Sequence, residues 1–443
     1  MADPGLPIPT PAEIRRHLLQ ALRQYWEREL QALEELPVTV LESPVIELPL
    51  RLQSVTLPDW AEACGVSGTL LVPAEACKAG DDWQQVDWWL AGFLLLEGWH
   101  ERVHEQQHGP IHSYSFKLSG WDERIWRHAW VNRIAIFLRL WAANNAGVDA
   151  DSLFGSIPAP RITMTHDVDA VRKTMPIRLK QGGFNLLNTL LQLSKGHWQN
   201  AGQCLGRAMR FIFGWEDWWK LDELLLLEEG AGIRSRFHFY ADARPKTPKR
   251  WLFDPGYDVT SDRIRDLIGR LSTGGWRTGL HQSFDAWESD ALIRAQRQRL
   301  IDTTASEVST CRQHWLRFGW NDTWLAQGAA GLEEDTTLMF NDRMGFRSSA
   351  AVAWHPWNPL DSCSHTIRAL PTVLMDSHAY DYEVMSDDTR HSEIRHWINE
   401  LQAVGGRCAV LWHPHTLTDD YGWKDGFEAC IDIAAEMEVC VDP

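Results

Sequence analysis

The chain has 443 residues, of which 44% are hydrophobic and 23% are charged, a composition that excludes global disorder and predicts a large core. Its 43 basic and 60 acidic residues give a net charge of −17, which disfavours nucleic acid as a partner because nonspecific binding needs a cationic surface. Tryptophan is unusually frequent, with 25 residues against 7 tyrosines. From the length we expect two or three domains.

The first part of the chain, residues 1–157, predicts a smaller α+β accessory domain. Its apolar periodicity indicates three helices and two short apolar segments. These lie at 14–33, 82–104 and 122–144, and at 45–50 and 68–72, respectively. Residues 155–160 carry two prolines and are typical of a linker into a second domain, 158–443.

The spacing of the cysteines and the length of the apolar runs indicate the cellular compartment of the protein. The eight cysteines are scattered without a C-x-x-C pair, so we expect reduced core residues rather than a disulfide framework. The first residues carry neither the basic start nor the apolar segment of a secretory signal. The longest apolar run, 88–96, is too short to span a bilayer. We therefore expect a cytoplasmic protein without a transmembrane segment.

Beyond the linker, strand and helix patterns alternate, which is typical of a parallel sheet or barrel. Helices are predicted at 261–271, 290–311 and 388–404. Seven short apolar or β-branched segments are predicted as strands, at 161–165, 235–240, 277–280, 313–318, 336–340, 369–375 and 407–412. Reactive polar residues end several strands, and active sites of barrels lie at the carboxyl ends of their strands. These residues are His166 with Asp167, His281, Asp376 and His413.

The first motif, Thr-His-Asp-Val-Asp at 165–169, directly follows an apolar run. Its carboxylates, Asp167 and Asp169, could divide two roles, one coordinating a cation and the other acting as a base on water. A helix N-cap or an Asx turn is the alternative use of an aspartate after a strand.

The next motifs supply candidate nitrogen ligands. His281 and Asp285 are four residues apart, so both would face one metal from an incipient helix. A buried histidine and an early-turn carboxylate stabilised by the helix dipole are the alternative. Along 312–318, alternation predicts His314 and Leu316 on one strand face, which makes His314 a third ligand or a buried hydrogen-bonding residue.

Two further motifs complete the candidate set. Asp335-Thr-Thr-Leu precedes Gly345-Phe-Arg347, and an arginine fixed near carboxylates orients them or a substrate oxygen. His413 ends the last predicted strand, within Leu-Trp-His-Pro-His. It suits a general acid, because the histidine pKa lies near working pH.

In this order the motifs resemble those of the polysaccharide deacetylase superfamily, the NodB-like or family 4 carbohydrate esterases. The resemblance is to a bacterial branch that reads T-H-D-V-D, G-L-H-x-S, R-Q-H-[YW]-L-R-F, D-x-T-L with G-F-R, and L-W-H-[NP], matched over roughly 161–430. Residues 82–144 resemble the separate domain that precedes the catalytic one in that branch. The resemblance implies a distorted (β/α) barrel of about seven strands, a divalent metal, most often zinc, and hydrolysis of an N-acetyl group from a sugar.

Carried over residue by residue, the resemblance implies Asp167 as catalytic base and Asp169 as a metal ligand. It makes His281 the first histidine of the metal motif, Arg347 the arginine that orients the base, and His413 the general acid.

Two departures from the family pattern leave alternatives open. Val168 separates aspartates that are adjacent in better-known members, so base and ligand could be exchanged. Asp285 stands where those members have a second histidine, so the third ligand is His314 or Asp285. We prefer His314, since two histidines and one carboxylate form a familiar zinc set. Asp335 and His166 are further candidates.

The implied function is metal-dependent removal of N-acetyl groups from a sugar, polysaccharide or glycan precursor, either free or nucleotide- or lipid-linked. Attack by metal-activated water, with Asp167 as base and His413 as acid, is the implied mechanism. Hydrolysis of another non-peptide C–N bond is one alternative, since fold does not fix substrate. A catalytically lapsed glycan-binding barrel is another, because the second motif is altered.

Residues 171–215 form the one basic region, with seven lysines and arginines and no aspartate or glutamate. Apolar residues recur there at helical spacing, which predicts an inserted helix pair whose basic residues face solvent. The alternative is a lid that meets an anionic substrate or makes peripheral contact with an anionic membrane.

The tryptophans divide between the two parts of the chain. Those in 1–157 are expected to pack in a core. Those near the motifs are candidates for a carbohydrate-lined cleft, because apolar sugar faces stack on indole rings. The candidates are Trp276, Trp287, Trp315, Trp320, Trp324, Trp354, Trp357, Trp412 and Trp423.

Overall fold

The first part of the chain forms helices around a two-stranded sheet. The computed structural model describes residues 6–26, 28, 30–42, 44–381 and 385–443. Strands β1 (Leu52–Thr56) and β2 (Thr69–Pro73) pair antiparallel. The described helices are α1 (Pro11–Ala21), α2 (Leu30–Glu34), α3 (Trp88–Leu96), α4 (Trp99–His108), α5 (Trp130–Ala146) and α6 (Ala150–Phe154).

Two of these helices are shorter than predicted. The helix predicted at 14–33 ends at Ala21, and the Trp-rich helix predicted at 82–104 is divided into α3 and α4 at Gly98. Gly98 has φ +53°, and a Cβ atom there would lie 2.2 Å from the Trp320 ring. Glycine therefore permits both the left-handed conformation and this close approach, and together they break the helix.

The second part of the chain forms a parallel sheet. Its strands are β3 (Arg161–Val168), β4 (Arg236–Tyr240), β5 (Arg277–Gln282), β6 (Thr310–Gln313), β7 (Glu334–Asp335), β10 (Arg368–Ala369), β11 (Thr372–Met375), β12 (Arg407–Leu411) and β13 (Cys440–Asp442). A short antiparallel pair, β8 (Trp357–Asn358) and β9 (Cys363–Ser364), precedes β10. The spatial order is β10-β7-β6-β5-β4-β3-β12-β11, and β13 also pairs with β3.

Helices connect and flank these strands. They are α7 (Met175–Ser194), α8 (Trp198–Phe213), α9 (Leu221–Gly230), α10 (Pro248–Phe253), α11 (Asp262–Thr273), α12 (Asp290–Thr304), α13 (Thr323–Ala329), α14 (Asp376–Tyr380), α15 (Asp387–Val404) and α16 (Lys424–Glu436). A parallel sheet flanked by helices confirms the predicted distorted (β/α) barrel. The distortion is that, among the described residues, the sheet stays open between its end strands, β10 and β11.

Four predicted elements of the barrel have wrong bounds. The single strand predicted at 369–375 is two strands, since β10 ends at Ala369 and β11 begins at Thr372 at the other end of the sheet. The strand predicted at 313–318 is β6, which ends at Gln313, and the strand predicted at 336–340 is β7, which ends before that range begins. The helix predicted at 290–311 is α12, which ends at Thr304 because Ala305 has φ +51°. After β6 and β7 a largely buried, mostly apolar run continues past the hydrogen-bonded strand, and its periodicity cannot show where the strand ends.

The N-terminal elements and the barrel share one continuous apolar core. Buried polar contacts also join them: the Trp354 indole donates to Glu97 at 2.9 Å, and Arg347 pairs with Glu101 at 2.8 Å. The residues of the predicted linker carry no helix or strand. A domain boundary after residue 157 stays a prediction.

All eight cysteines carry free thiols. The prediction of core positions is wrong for Cys363 and Cys440, which are exposed, and Cys77 is half-buried. Cys363 lies in β9 and Cys440 in β13, two short strands with exposed or half-exposed residues.

Candidate active site

The carboxyl ends of three strands bring Asp169, His281 and His314 together. Asp169 follows β3, His281 lies near the end of β5, and His314 directly follows β6. His281 Nε2 lies 3.0 Å from Asp169 Oδ1 and 2.7 Å from His314 Nδ1. His314 Nδ1 lies 3.4 Å from the same carboxylate oxygen. One potential ligand atom from each residue therefore lies within 4.8 Å of the others, as in a metal site.

Backbone carbonyls orient both imidazoles. His281 Nδ1 lies 3.1 Å from the Arg312 carbonyl oxygen, and His314 Nε2 lies 2.7 Å from the Phe253 carbonyl oxygen. Because a carbonyl only accepts, each outer nitrogen carries a hydrogen, so a neutral ring has its lone pair on the inner nitrogen that faces Asp169. Asp169 Oδ1 is buried without a hydrogen bond among the described residues. Two imidazoles and one carboxylate thus form a set of acceptors that suits a zinc-like cation.

The backbone after His314 is strained. Trp315 and Leu316 have φ of +57° and +47°, values that side-chain-bearing residues adopt at a cost. Trp315 Nε1 donates to the Phe253 carbonyl oxygen at 3.3 Å, so one carbonyl holds both neighbouring rings. This turn replaces the predicted strand at 313–318, and the predicted alternation of side chains along that strand is therefore wrong.

Asp167 lies beside this cluster with partners of its own. His238 Nδ1 lies 3.0 Å from Asp167 Oδ1, and Arg312 donates to the same oxygen at 3.3 Å. Burial acts to raise the pKa of Asp167, but His281 and Arg312 outweigh it and hold the pKa well below its usual value. The carboxylate is therefore ionised and fixed in orientation.

The sheet register explains how His238 reaches Asp167. Asp167, His238 and Gly279 lie opposite one another across β3, β4 and β5. A Cβ atom on Gly279 would lie 2.5 Å from His238 Cδ2. The missing side chain on β5 therefore leaves the space that the imidazole occupies.

His413 follows β12 and is held beside the cluster by Asp376. His413 Nδ1 lies 2.9 Å from Asp376 Oδ1, and the His413 backbone N–H donates to the other carboxylate oxygen at 2.8 Å. His413 Nε2 lies 3.7 Å from Asp169 Oδ2. Burial disfavours the charged imidazole, but Asp376 outweighs it and, with Asp169, raises the pKa of His413 to about 9. At neutral pH the ring is protonated.

Two adjoining cavities open on these residues. One, of about 380 Å³, is lined by Asp167, Asp169, His281 and His413. The other, of about 460 Å³, shares Asp169 and carries basic and aromatic side chains. Those side chains are Arg172, Lys180, Lys246, Trp218, Trp251 and Trp315. A reacting group in the first cavity would therefore leave the rest of its molecule among cations and indole rings.

Two predicted site residues lie in other environments. Arg347 contacts Glu101 of α4 with Nε and Nη2 and donates to the Met339 carbonyl oxygen. The predicted role of Arg347 in orienting Asp167 is therefore wrong, because Arg312 makes that contact. Asp285 pairs with Lys249 at 2.7 Å on the surface and is outside the three-residue cluster.

Two further candidates belong to buried hydrogen-bond networks. Asp335 accepts from the Trp324 indole and the Gln327 amide, both at 3.0 Å. His166 lies between Glu228 and the Trp412 carbonyl oxygen, at 2.8 and 2.6 Å. Asp335 and His166 therefore stabilise the barrel, and the cavities described above are lined by other residues.

Sequence reasoning missed three partners that the structure places at the site. Arg312 lies in a motif and Asp376 at a predicted strand end, both without an assigned role, and His238 is in neither set. A signal for His238 exists: alternation in Arg-Phe-His-Phe-Tyr puts Arg236, His238 and Tyr240 on one face of β4. Polar residues on one face of a fully buried strand indicate a polar barrel interior.

Most tryptophans predicted to line a cleft are buried structural residues instead. Of those nine, Trp315 and Trp423 line the cavities, and Trp218 and Trp251 were not predicted to do so. Several buried indoles donate to carboxylates, which explains why they lie in the core rather than in a cleft. The pairs are Trp219 with Asp222, Trp276 with Glu228, Trp320 with Glu101, Trp324 with Asp335 and Trp354 with Glu97.

Comparison with known proteins gives matches among solved structures. A protein of Mycobacterium smegmatis assigned as a polysaccharide deacetylase is 14% identical, with a TM-score of 0.38, over 64% of this chain and 91% of its own. The family 4 carbohydrate esterase of Streptomyces lividans, solved with acetate, is 9% identical, with a TM-score of 0.30, over 64% and 91%. A family 4 pseudoenzyme of Bacillus anthracis is 10% identical, with a TM-score of 0.30, over 67% and 69%. No family model and no curated protein matches the chain.

Proposed function

We propose that this protein is a metal-dependent hydrolase that removes an N-acetyl group from a sugar or glycan. The observation that carries the proposal is the placement of three groups around one cavity. Asp169, His281 and His314 form a ligand cluster, and Asp167 and His413 line the same cavity. A cation site next to an ionised carboxylate and a protonated imidazole suits hydrolysis of an amide.

Asp169, His281 and His314 would hold the metal. A divalent cation at such a site supplies Lewis acidity, which activates water and polarises an acyl carbonyl. Two features of the histidines suit metal binding. Both outer imidazole nitrogens are held by carbonyl oxygens, and burial lowers the pKa of His314 to about 4. A neutral His314 offers its lone pair at neutral pH.

Asp167 would accept the proton of the attacking water. Its carboxylate is ionised, and contacts with His238 and Arg312 fix its position relative to the cluster. A base held in this way does not need to reorganise as the proton moves, which is how an active site lowers a barrier.

His413 would donate a proton to the departing amine. Asp376 holds Nδ1, which leaves Nε2 facing the same cavity as Asp169, 3.7 Å from its carboxylate. An amine is a poor leaving group unless it is protonated, and an imidazolium at this position supplies that proton.

The adjoining cavity would hold the rest of the substrate. Trp251 and Trp315 offer indole faces on which apolar sugar faces stack, and Lys180 lies against Trp315 with Nζ 3.8 Å from the ring centroid. Burial lowers the pKa of Lys180 to about 8, yet the ammonium still carries charge at neutral pH. Hydroxyl or acidic groups of a carbohydrate would therefore find donors next to the stacking surface.

Acetate release from a panel of N-acetylated sugars, oligosaccharides and nucleotide sugars tests the proposal, with metal content measured on the same samples. We expect turnover by the zinc-loaded protein and loss of most bound metal in Asp169→Asn and His281→Ala. Asp167→Asn should keep the metal and lower kcat by about a hundredfold or more. Asp285→Asn is the matched control, since this carboxylate follows His281 by four residues and lies on the surface with Lys249.

Other outcomes favour the alternatives. Metal binding without acetate release, but with release of formate or opening of a cyclic amide, would indicate another C–N bond. Binding of glycans without metal or turnover would indicate a lapsed barrel. Unchanged metal content in Asp169→Asn would contradict the ligand assignment directly.

A further inference from the structure

Helices α7 and α8 form a hairpin whose large apolar side chains face outward. Leu187 and Leu190 of α7 are 56% and 64% exposed, and Trp198 at the start of α8 is 74% exposed. Other large apolar side chains of the hairpin are also exposed, namely Met175, Leu179, Phe184, Leu186, Leu191, Leu193, Leu205, Met209 and Phe213. An apolar surface of this extent on one motif indicates an interaction surface.

Most buried residues of the hairpin are small or polar. They are Gly182, Asn185 and Thr189 of α7 and Ala201, Cys204 and Ala208 of α8, whereas Phe211 of α8 is buried against Trp218 and Tyr421. A Cβ atom on Gly182 would lie 2.5 Å from the Ile212 side chain, so the helices approach closely there. Asn185 Nδ2 and Thr189 Oγ1 donate to backbone carbonyls within α7, so these donors need no partner outside the helix.

The distribution of apolar and polar residues in this hairpin is the reverse of that in a water-exposed helical hairpin. A water-facing pair of helices buries its large apolar residues between the helices and exposes its polar ones. Small contacts inside and large apolar residues outside are typical of helices with lipid around them. Among the described residues no helix is long and apolar enough to cross a bilayer, so contact with the surface of a membrane is the arrangement that fits.

The charge of the hairpin selects the kind of surface. Residues 171–215 carry seven basic and no acidic residues within a chain of net charge −17. Arg172, Lys195 and Arg210 are exposed, whereas Lys173 pairs with Asp420 at 2.8 Å. A second copy of this hairpin would bring like charges together, but anionic headgroups would neutralise them.

We propose that the hairpin docks on the surface of an anionic lipid bilayer. Leu187, Leu190 and Trp198 enter the boundary between headgroups and acyl chains, and Lys195 and Arg210 contact the headgroups. The cavity-lining residues Lys180 and Gln181 lie on α7, so the docked protein would hold its candidate site beside the bilayer.

Flotation of the full-length protein with liposomes tests the proposal. Vesicles of phosphatidylcholine alone are compared with vesicles in which about a third of the lipid is phosphatidylglycerol. We expect the wild-type protein to float with the anionic vesicles, and Leu187→Glu with Leu190→Glu to lower the bound fraction about tenfold. Leu226→Glu with Leu360→Glu is the matched control, because these leucines are 69% and 75% exposed outside the hairpin and should leave flotation unchanged.

The contribution of charge is measured separately. Lys195→Glu with Arg210→Glu should bind anionic vesicles several-fold more weakly, and about 0.5 M salt should weaken the wild-type protein in the same way. Circular dichroism and thermal unfolding check that every variant is folded.

Three results would overturn the proposal. One is no flotation of the folded wild-type protein with anionic vesicles. Another is an equal loss of binding in the control pair. The third is a dimer in solution, measured by light scattering, that the Leu187→Glu and Leu190→Glu pair converts to a monomer while vesicles bind neither form, since a second copy would then cover the hairpin.

Discussion

At the scale of single residues, Asp376 sets the charge of His413 through two hydrogen bonds. Because Asp376 raises the pKa of His413 to about 9 against the effect of burial, its removal should lower that pKa. A general acid works only while protonated, so the rate falls as pH rises through its pKa. We expect Asp376→Ala to reduce kcat about tenfold or more and to move the alkaline limb of the kcat profile toward lower pH.

The pH profile of acetate release measures this change, with bound metal determined in parallel. Asp285→Asn serves again as control and should leave both limbs in place. A lower kcat with an unmoved alkaline limb would show that Asp376 only stabilises the loop around His413.

The order of the motifs predicts that Asp169, His281 and His314 lie close together, because the carboxyl ends of parallel strands meet at one edge of a sheet. It does not identify the arginine beside Asp167. Arg312 and Arg347 both lie in buried segments, and Arg347 pairs with Glu101, which belongs to a helix more than 200 residues earlier in the chain. A long-range partner of this kind has no local signal in the sequence.

At the scale of elements, the absence of a side chain at Gly279 of β5 allows His238 of β4 to pack against that strand. Gly279→Ala would place a methyl group 2.5 Å from His238 Cδ2 and 2.5 Å from Thr310 Oγ1, so the strand or the imidazole must move. We expect a loss of about 1–3 kcal/mol in the free energy of unfolding, together with lower activity. Chemical denaturation and acetate release measure the two effects.

Gly269→Ala in α11 is the control for that change. A Cβ atom there meets nothing within 4 Å, so the substitution should be neutral or should stabilise the helix by about 0.5–1 kcal/mol. Equal destabilisation by both alanines would contradict the role assigned to the space at Gly279.

Helix α15 of the barrel is joined to α5 through Glu400. Arg133 Nη2 lies 2.7 Å from Glu400, and His128 Nδ1 lies 2.8 Å from it. Burial acts to raise the pKa of Glu400, but these two partners outweigh it and lower the pKa to about 2. Removing one partner of a buried ion pair costs about 3 kcal/mol, and we expect that loss for Glu400→Gln near neutral pH.

The same contact predicts a pH dependence. A carboxyl with a depressed pKa contributes stability above its unfolded value of 4.5 and loses it as pH falls toward 2. The difference between wild type and Glu400→Gln should therefore shrink across that interval in urea titrations. Glu393→Gln in the same helix removes a half-buried partner of Arg127 and should change stability by less than about 1 kcal/mol at any pH.

Alternation and helical periodicity find most elements but not their ends. The strands predicted at 161–165 and 407–412 begin where the structure has them, at Arg161 and Arg407, but β3 continues past its predicted end to Val168. The strand predicted at 313–318 fails because two consecutive residues, Trp315 and Leu316, adopt left-handed conformations that their side chains do not favour. Neither position is a glycine, so the sequence does not mark the turn.

At the scale of the whole molecule, residues 1–157 complete the core of the barrel. A fragment of 158–443 would lose the partner of Arg347 and the acceptor of the Trp354 indole, and would expose part of the continuous core. We expect it to be insoluble or to lack a cooperative unfolding transition. A chain that begins at Thr10 keeps these contacts and is the control; a fragment as stable as the full chain would show that the barrel folds alone.

The indole–carboxylate pairs limit which single-nucleotide changes the fold tolerates. Tryptophan has a single codon, and every one-base change in it yields arginine, glycine, serine, leucine, cysteine or a stop. None of these supplies an aromatic N–H donor, so a change at Trp320 or Trp354 leaves Glu101 or Glu97 without that bond in the interior. No single-nucleotide change at these tryptophan positions is therefore conservative. A scan of all single-nucleotide variants should find these positions among the least tolerant in the gene.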